Sequence, residues 1–288
     1  MMNLKTSDLP DPQRVIAKVV LDLDFYSEGP AADKYGKLFF TDIAGQSIRY
    51  FEGAKDHIWA KGRRPNGQAI EKNGNHLICD SQLGAVLRYS KKGKLIGKVS
   101  PTFIDGNPVV CPNDIVLDAE GGYFFTDSIR FSGAVFHVDI KGRAKTLLQA
   151  LDFPNGIVHD RDLNVLFVAE SYKNRILKLN LNNETYDPGF VSIFANLPQN
   201  PNDKTTGNLP DGMKLDSAKR LWVAHYGMQA LQVLSEKGDL LATYNTEIPL
   251  TSNLCFHDKA VWVTGGISEP GPGRVVKMEF GIEGYPLI

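Results

Sequence analysis

Cysteine is scarce. Cys79, Cys111 and Cys255 are far apart and odd in number, so neither a disulfide framework nor a paired-cysteine metal clip is expected. Long apolar runs are also missing. The opening stretch MMNLKTSDLPDPQ is polar and no apolar run of membrane-spanning length follows. Neither a signal peptide nor a transmembrane span is therefore expected, and a reducing cytoplasm is the expected location. No charge of one sign dominates either: 32 Lys and Arg against 33 Asp and Glu leave a formal net charge of −1. That balance argues against nucleic acid or a membrane surface as the main partner. A His-Glu-x-x-His zinc spacing is absent. What the chain does have is 288 residues, 42% of them hydrophobic, enough for a large core. Closed all-β folds reach this length as one domain, and a single domain over 1–288 is the expectation.

A repeated unit is present. A short strand ending in a polar residue recurs as LFFTD, LICD, YFFTD, LFVAE, LWVAH and VWVTG, each followed by a turn and a second strand. These β-branched and aromatic runs read as antiparallel hairpins. Upstream of each lies another recurring piece: EGPAAD, PNGQAIE, PNDIVLD, PNGIVHD, PDGMKLD and SNLCFHD. Alignment places Glu28, Asn66, Asn113, Asn155, Asp211 and Asn253 at one equivalent position. Fourteen residues separate Glu28 from Asp42, Asn66 from Asp80, Asn113 from Asp127 and Asp211 from His225. A fourth strand closes five units, while the sixth lacks one. The N-terminal strand RVIAKVVLDL can supply it, with residues 14–20 against 274–279. Six units and a spare strand predict an all-β, six-bladed propeller closed by the N-terminal strand in the last blade. An open solenoid would leave both ends bare.

In such a blade the first strand lines the central channel. The six aligned polar residues therefore surround one mouth, and Asp42, Asp80, Asp127, Glu170 and His225 return to the same end. Glu28 and Asp211 crowd two carboxylates into the inner ring, and a bound cation is the simplest compensation. Every inner-ring side chain offers a hard oxygen. This favours Ca2+, then Mg2+ or Mn2+, with Zn2+ last. Simple turn chemistry accounts for Asn66 and Asn253, and for the acids five residues on (Asp33, Asp118, Asp160, Asp216, Asp258) at the opposite end. It does not account for Glu28, which stands just before Gly-Pro. His225 belongs to the mouth as a candidate substrate contact, and Cys111 stands two residues before Asn113. Loops 101–112, 198–210 and 266–273 open on the mouth and are expected to form a lid.

Glu28-Gly29-Pro30, Pro112-Asn113-Asp114, Pro154-Asn155-Gly156 and Pro210-Asp211-Gly212-Met213 together resemble the senescence-marker-protein (regucalcin)/gluconolactonase/luciferin-regenerating-enzyme family, from about Val19 to Glu279. The resemblance implies a six-bladed propeller with one divalent metal held by Glu28, Asn155 and Asp211. Asn113 becomes a fourth ligand or a contact to substrate. Family members are mostly lactone hydrolases. Cys111 stands where sugar lactonases carry an arginine, which favours a less polar lactone or ester. The phrase FFTDSIRFSGAVFHVD resembles the staphylococcal-type lactonases.

The implied reaction is metal-assisted opening of a lactone or cleavage of a related ester. Asp211 serves as general base or nucleophile, and Asn113, Cys111, Asp127 and His225 are the substrate-binding candidates. The alternatives are a non-catalytic, metal-stabilised binding propeller and a strictosidine-synthase-like or phosphotriesterase-type enzyme on the same fold.

Overall fold

In the computed structural model, which describes residues 9–181, 191–200 and 208–286, six four-stranded antiparallel sheets stand round one channel. Their inner strands are Ser27–Ala32, Pro65–Ile70, Pro112–Leu117, Pro154–Asp160, Leu209–Leu215 and Leu250–His257. Each meets the next, and the last meets the first, so the ring is closed. The chain is a six-bladed β-propeller.

The hydrophobic core lies between blades rather than along the channel. Trp222 of blade five shows how. It is fully buried, stacks on Tyr244 at 5.7 Å and meets the edge of Phe280 at 4.7 Å. Its indole N–H donates to Asp216 Oδ2 at 2.9 Å, so the one polar atom of a large apolar side chain is satisfied.

Blade six is completed by Lys18–Leu23, which pairs antiparallel with Gly273–Glu279 from Lys18 opposite Lys277 to Leu23 opposite Gly273. The N-terminal closure is as the repeat count predicts, but the strand starts at Lys18 rather than at residue 14. Pro12–Arg14 form a 3-10 turn capped by the Asp11 carboxylate. Val15 and Ala17 pack instead on the cluster around Trp222. Hydrophobic contact there outweighs a longer ladder.

At the opposite end of the channel Asp33, Asp118, Asp160 and Asp216 cap tight turns, as expected, whereas Asp258 contacts His257. Asp118 accepts the N–H groups of Glu120 and Gly122, and Asp216 those of Ala218 and Arg220. Residues Glu283–Pro286 cross this end, with Tyr285 N–H bonded to the Leu215 carbonyl at 2.9 Å. They roof a cavity of about 380 Å³. The candidate site is at the other mouth.

Candidate functional site

Every inner strand is interrupted at the same level. In blades two to five, two residues oppose one on the neighbouring strand: Asn66 and Gly67, Asn113 and Asp114, Asn155 and Gly156, Asp211 and Gly212. Register shifts also fall between Glu28 and Ala31 and between Thr251 and Asn253. A bulge re-aims the side chain it carries, and here six bulges stand round one mouth. Hydroxyls staple the ring together from blade to blade. Thr41 Oγ1 donates to the Asn66 carbonyl at 2.9 Å, Thr126 Oγ1 to that of Asn155 at 2.7 Å, and Ser252 Oγ to that of Ser27 at 2.9 Å.

The glycine after the ring residue has a steric cause. A Cβ on Gly156 would stand 2.0 Å from the Asp211 carbonyl oxygen, and one on Gly212 2.0 Å from Asn253 Cγ. At this level blade four therefore meets the backbone of blade five, and blade five meets the Asn253 side chain of blade six. Blade three departs from the rule, with Asp114 in the glycine's place. Asp114 is buried, and Ile157 N–H donates to its Oδ2 at 3.2 Å.

Three carboxylates thus share the mouth. Glu28 is 4% exposed, and its Oε2 accepts from Gly29 N–H at 2.6 Å and Asn253 Nδ2 at 3.2 Å. Burial first, and then the Asp114 charge, raise its pKa to about 7 against those hydrogen bonds and Lys214. Asp211 is raised well above the carboxylate range by burial, then by the charges of Glu28, Asp114 and Glu269, while the Asn155 side chain opposes this with a hydrogen bond. Burial also raises Asp114, against the Lys214 charge. Removing three acids from water in one pocket leaves negative charge that a cation would offset.

Asp114, Tyr26, Tyr226 and Glu269 were missing from the sequence-derived set. Tyr226 donates its hydroxyl to Glu269 Oε1 at 3.1 Å, and its ring is 6.5 Å from that of Tyr26. The Tyr26 hydroxyl is held neutral by burial and then by the Asp211 and Glu28 charges. Asp114 had a readable signal, an acid where neighbouring units carry glycine. Glu269 arrives on the loop after Gly266, which has no fixed place in the repeat.

The acids that follow each ring residue by about fourteen positions reach the mouth but serve the incoming loops. Asp80 accepts from the N–H groups of Arg63, Arg64 and Leu83. Asp127 accepts from Val110 at 3.1 Å and from Cys111 at 2.5 Å. Glu170 takes the Asp152 N–H and pairs with Arg175. His225 is fully buried, bonded through Nε2 to Asn174 Oδ1 at 3.0 Å and contacted at Nδ1 by the Gln232 amide at 3.4 Å. Burial lowers its pKa to about 4, so the ring is neutral. Among the described residues neither Asp127 nor His225 bonds to Glu28, Asp114 or Asp211. Cys111 is half-buried on the wall beside Asn113.

Of the expected lid, residues 101–112 fold into a small hairpin, Phe103–Ile104 with Asn107–Pro108. Its tip is fastened outward, Asp105 and Asn107 binding Thr146 on the outer strand of blade three. Only 109–111 return to the mouth. Within 198–210, residues 201–207 lie outside the described residues. The 266–273 loop does reach the site, through Glu269.

Among the described residues no group of three or more His, Cys, Asp or Glu side chains is arranged to hold a metal. The expected ligand set contains only two of these types, Glu28 and Asp211, and draws its remaining oxygens from the amides of Asn155 and Asn113. Its donor chemistry fits a hard cation. Asn66 Oδ1, at the same level in blade two, is a buried acceptor with no hydrogen-bond partner among the described residues.

Residues 26–265 match the family model described as "SMP-30/Gluconolactonase/LRE-like region". The chain is 28% identical over 234 residues to lactonase drp35 of Staphylococcus epidermidis, covering 76% of this chain and 69% of that protein. It is 27% identical over 243 residues to lactonase drp35 of Staphylococcus aureus, covering 79% and 71%. Among solved structures, a gluconolactonase from Xanthomonas campestris superposes with TM-score 0.79 at 20% identity, covering 97% of this chain and 93% of that one. Regucalcin from Agrobacterium tumefaciens, described as a calcium-binding protein, gives 0.78 at 16% identity, covering 95% and 96%. With most of its length matched by the family model, the chain belongs to the SMP-30/gluconolactonase/LRE-like family.

Proposed function

We propose that this chain is a divalent-cation-dependent hydrolase that opens a lactone ring, or cleaves a related ester, at the mouth of its channel. The observation that carries the reading is the pair of buried carboxylates, Glu28 and Asp211, each driven toward protonation by burial and neighbouring charge and flanked by amides. The lactonase names of the relatives support the reaction class. The cation is Ca2+ before Mg2+, Mn2+ or Zn2+, held by Glu28, Asn155 and Asp211, with Asn113 as fourth ligand or substrate contact. When bound, it supplies Lewis acidity toward the substrate carbonyl and offsets the charge of the acids.

Asp211, oriented by the Asn155 amide, takes a proton from the attacking water or attacks the carbonyl carbon itself. Asn113 directs its amide N–H at the developing oxyanion. The ring C–O bond then breaks and the alkoxide takes up a proton; attack by water gives the hydroxy acid directly, whereas attack by Asp211 leaves an acyl anhydride on its carboxylate that a water hydrolyses before the hydroxy acid leaves. Cys111 lines the substrate wall. Asp127 acts on that wall by fixing the Cys111 backbone, and His225 acts by holding Asn174.

The test is a panel of lactones and aryl esters, assayed after EDTA treatment and again after calcium is restored. Turnover should vanish and return. Full turnover in EDTA removes the cation from the reaction, and no turnover by the calcium-loaded protein leaves a binding propeller.

A further inference from the structure

Residues 62–64 carry the chain from the outer strand of blade one to the inner strand of blade two, immediately before Pro65 and Asn66. Their backbone is pinned at both ends. Arg63 and Arg64 donate their N–H groups to the two oxygens of Asp80 at 2.8 and 3.1 Å, and Ser81 returns its N–H to the Arg64 carbonyl at 3.0 Å. Their side chains are exposed, and neither guanidinium has an ion pair or hydrogen bond among the described residues.

Arginines elsewhere are committed. Arg49 pairs with Asp56, Arg88 with Glu71, Arg130 with Asp152, Arg175 with Glu170, Arg220 with Asp216 and Arg274 with Asp22. Two guanidinia left free on a clamped backbone, beside a mouth containing four acids, are an arrangement apart. Arg64 stands two residues before Asn66 as Cys111 stands two before Asn113, and Asp80 accepts its N–H as Asp127 accepts that of Cys111. It therefore holds on blade two the place at the mouth that Cys111 holds on blade three. Asn66, two residues on, carries the buried oxygen that has no donor among the described residues.

A planar, permanently charged fork with five donors suits a carboxylate or a phosphate, and a carboxylate is the smaller of the two and carries a single charge. The acids at the centre of the mouth repel a second negative charge, so an anionic substituent is favoured only at the rim, beside that fork.

We propose that Arg64 forms an anion subsite on the wall of the mouth, and that the preferred lactone carries a ring carboxylate held by this guanidinium while its carbonyl lies over Asn113 and Asp211. The subsite rests on the hydrolase reading for its reaction, but its binding can be read separately.

The probes are a γ-lactone bearing a ring carboxylate and the same lactone with that group as its carboxamide. Calorimetric binding to the calcium-loaded protein should favour the carboxylate, with a preference that shrinks as salt rises. Arg64→Gln should weaken carboxylate binding about tenfold or more, the loss of one charge-assisted hydrogen bond. Its effect on turnover should fall on KM rather than kcat. Arg64→Lys should recover part of the preference, and Arg63→Gln should leave it intact. Equal binding of the two probes by wild type, or a preference that survives Arg64→Gln, overturns the subsite. Carboxylate-selective binding without turnover of either probe keeps the subsite and rejects the hydrolase reading. Turnover of both probes with equal KM does the reverse.

Discussion

Asn253 of the last blade donates an amide N–H to Glu28 Oε2 of the first at 3.2 Å, joining side chains 225 residues apart in sequence. The bond crosses the seam where the ring closes. Ser252 Oγ, bonded to the Ser27 carbonyl, and Ser27 Oγ, bonded to the Arg274 carbonyl, cross it too. Fold closure and the orientation of Glu28 are thus one local arrangement. Turn chemistry, the sequence reading of Asn253, misses this.

Asn253→Leu keeps the side-chain volume and removes that donor. Among the described residues the Glu28 carboxylate then keeps only the Gly29 N–H, and its ionised form loses a hydrogen bond worth about 1.5–3 kcal/mol. Calcium affinity, which needs the ionised carboxylate, should fall about tenfold or more in a calorimetric titration. Unchanged affinity would detach Glu28 from the cation.

Asp211→Asn and Glu28→Gln should separate catalysis from cation binding. Asp211→Asn keeps an oxygen ligand but loses basicity, so turnover at saturating calcium should fall roughly 100-fold or more. Glu28→Gln should weaken calcium and recover activity as calcium is raised. Lactone hydrolysis measured across a calcium series distinguishes them. Near-wild-type turnover by calcium-saturated Asp211→Asn would reduce the ring to a metal cage.

The blade count, the level of the ring and the borrowed strand are legible in the sequence, because each depends on a period that repeats. The bulges are less visible. They arise where adjacent blades crowd together, and the sequence records them only as the glycines after Glu28, Asn66, Asn155 and Asp211. Asp114 shows the limit: a list of equivalent positions finds Asn113 and passes over the acid beside it. Glu269 and Tyr26 come from connections outside the repeat. The partners of Asp80 and Asp127 lie on loops whose paths no strand spacing encodes.

Closure can be tested at Leu21. This residue is 6% exposed, lies on the completing strand opposite Val275, and packs in the cluster containing Leu38, Phe40 and Cys255. Leu21→Ala should cost about 2–5 kcal/mol in a denaturant titration. Deleting residues 1–23 uncovers the edge of Gly273–Glu279 and should abolish a cooperative transition. A truncated chain that melts like the full one would mean that the last blade stands without its borrowed strand.

The contribution of His76 to stability should fall as solutions are acidified through the histidine range, opposite in sign to that of the raised mouth acids, led by Glu28. The His76 ring is 2% exposed, 4.6 Å from Phe39 and 4.3 Å from Trp59, with Nδ1 bonded to Gln68 Oε1 at 2.9 Å. Gln68 spends its own amide N–H on the Gly29 carbonyl at 2.6 Å, which fixes its oxygen toward the histidine. Burial lowers the His76 pKa from 6.5 to about 4, against the Asp33 charge. The folded value lies below the unfolded one, so between them the unfolded chain binds the extra proton. The native state therefore keeps its full advantage above about pH 6.5 and loses it as pH falls toward 4. The loss approaches one proton, about 1.4 kcal/mol for each pH unit in mid-window. His225, shifted the same way, adds a second. Denaturant titrations of wild type and His76→Asn across this range isolate the term: the variant starts less stable but should show the shallower dependence by about one proton. Parallel curves would mean that the His76 ring is protonated as readily in the folded protein as in the unfolded chain.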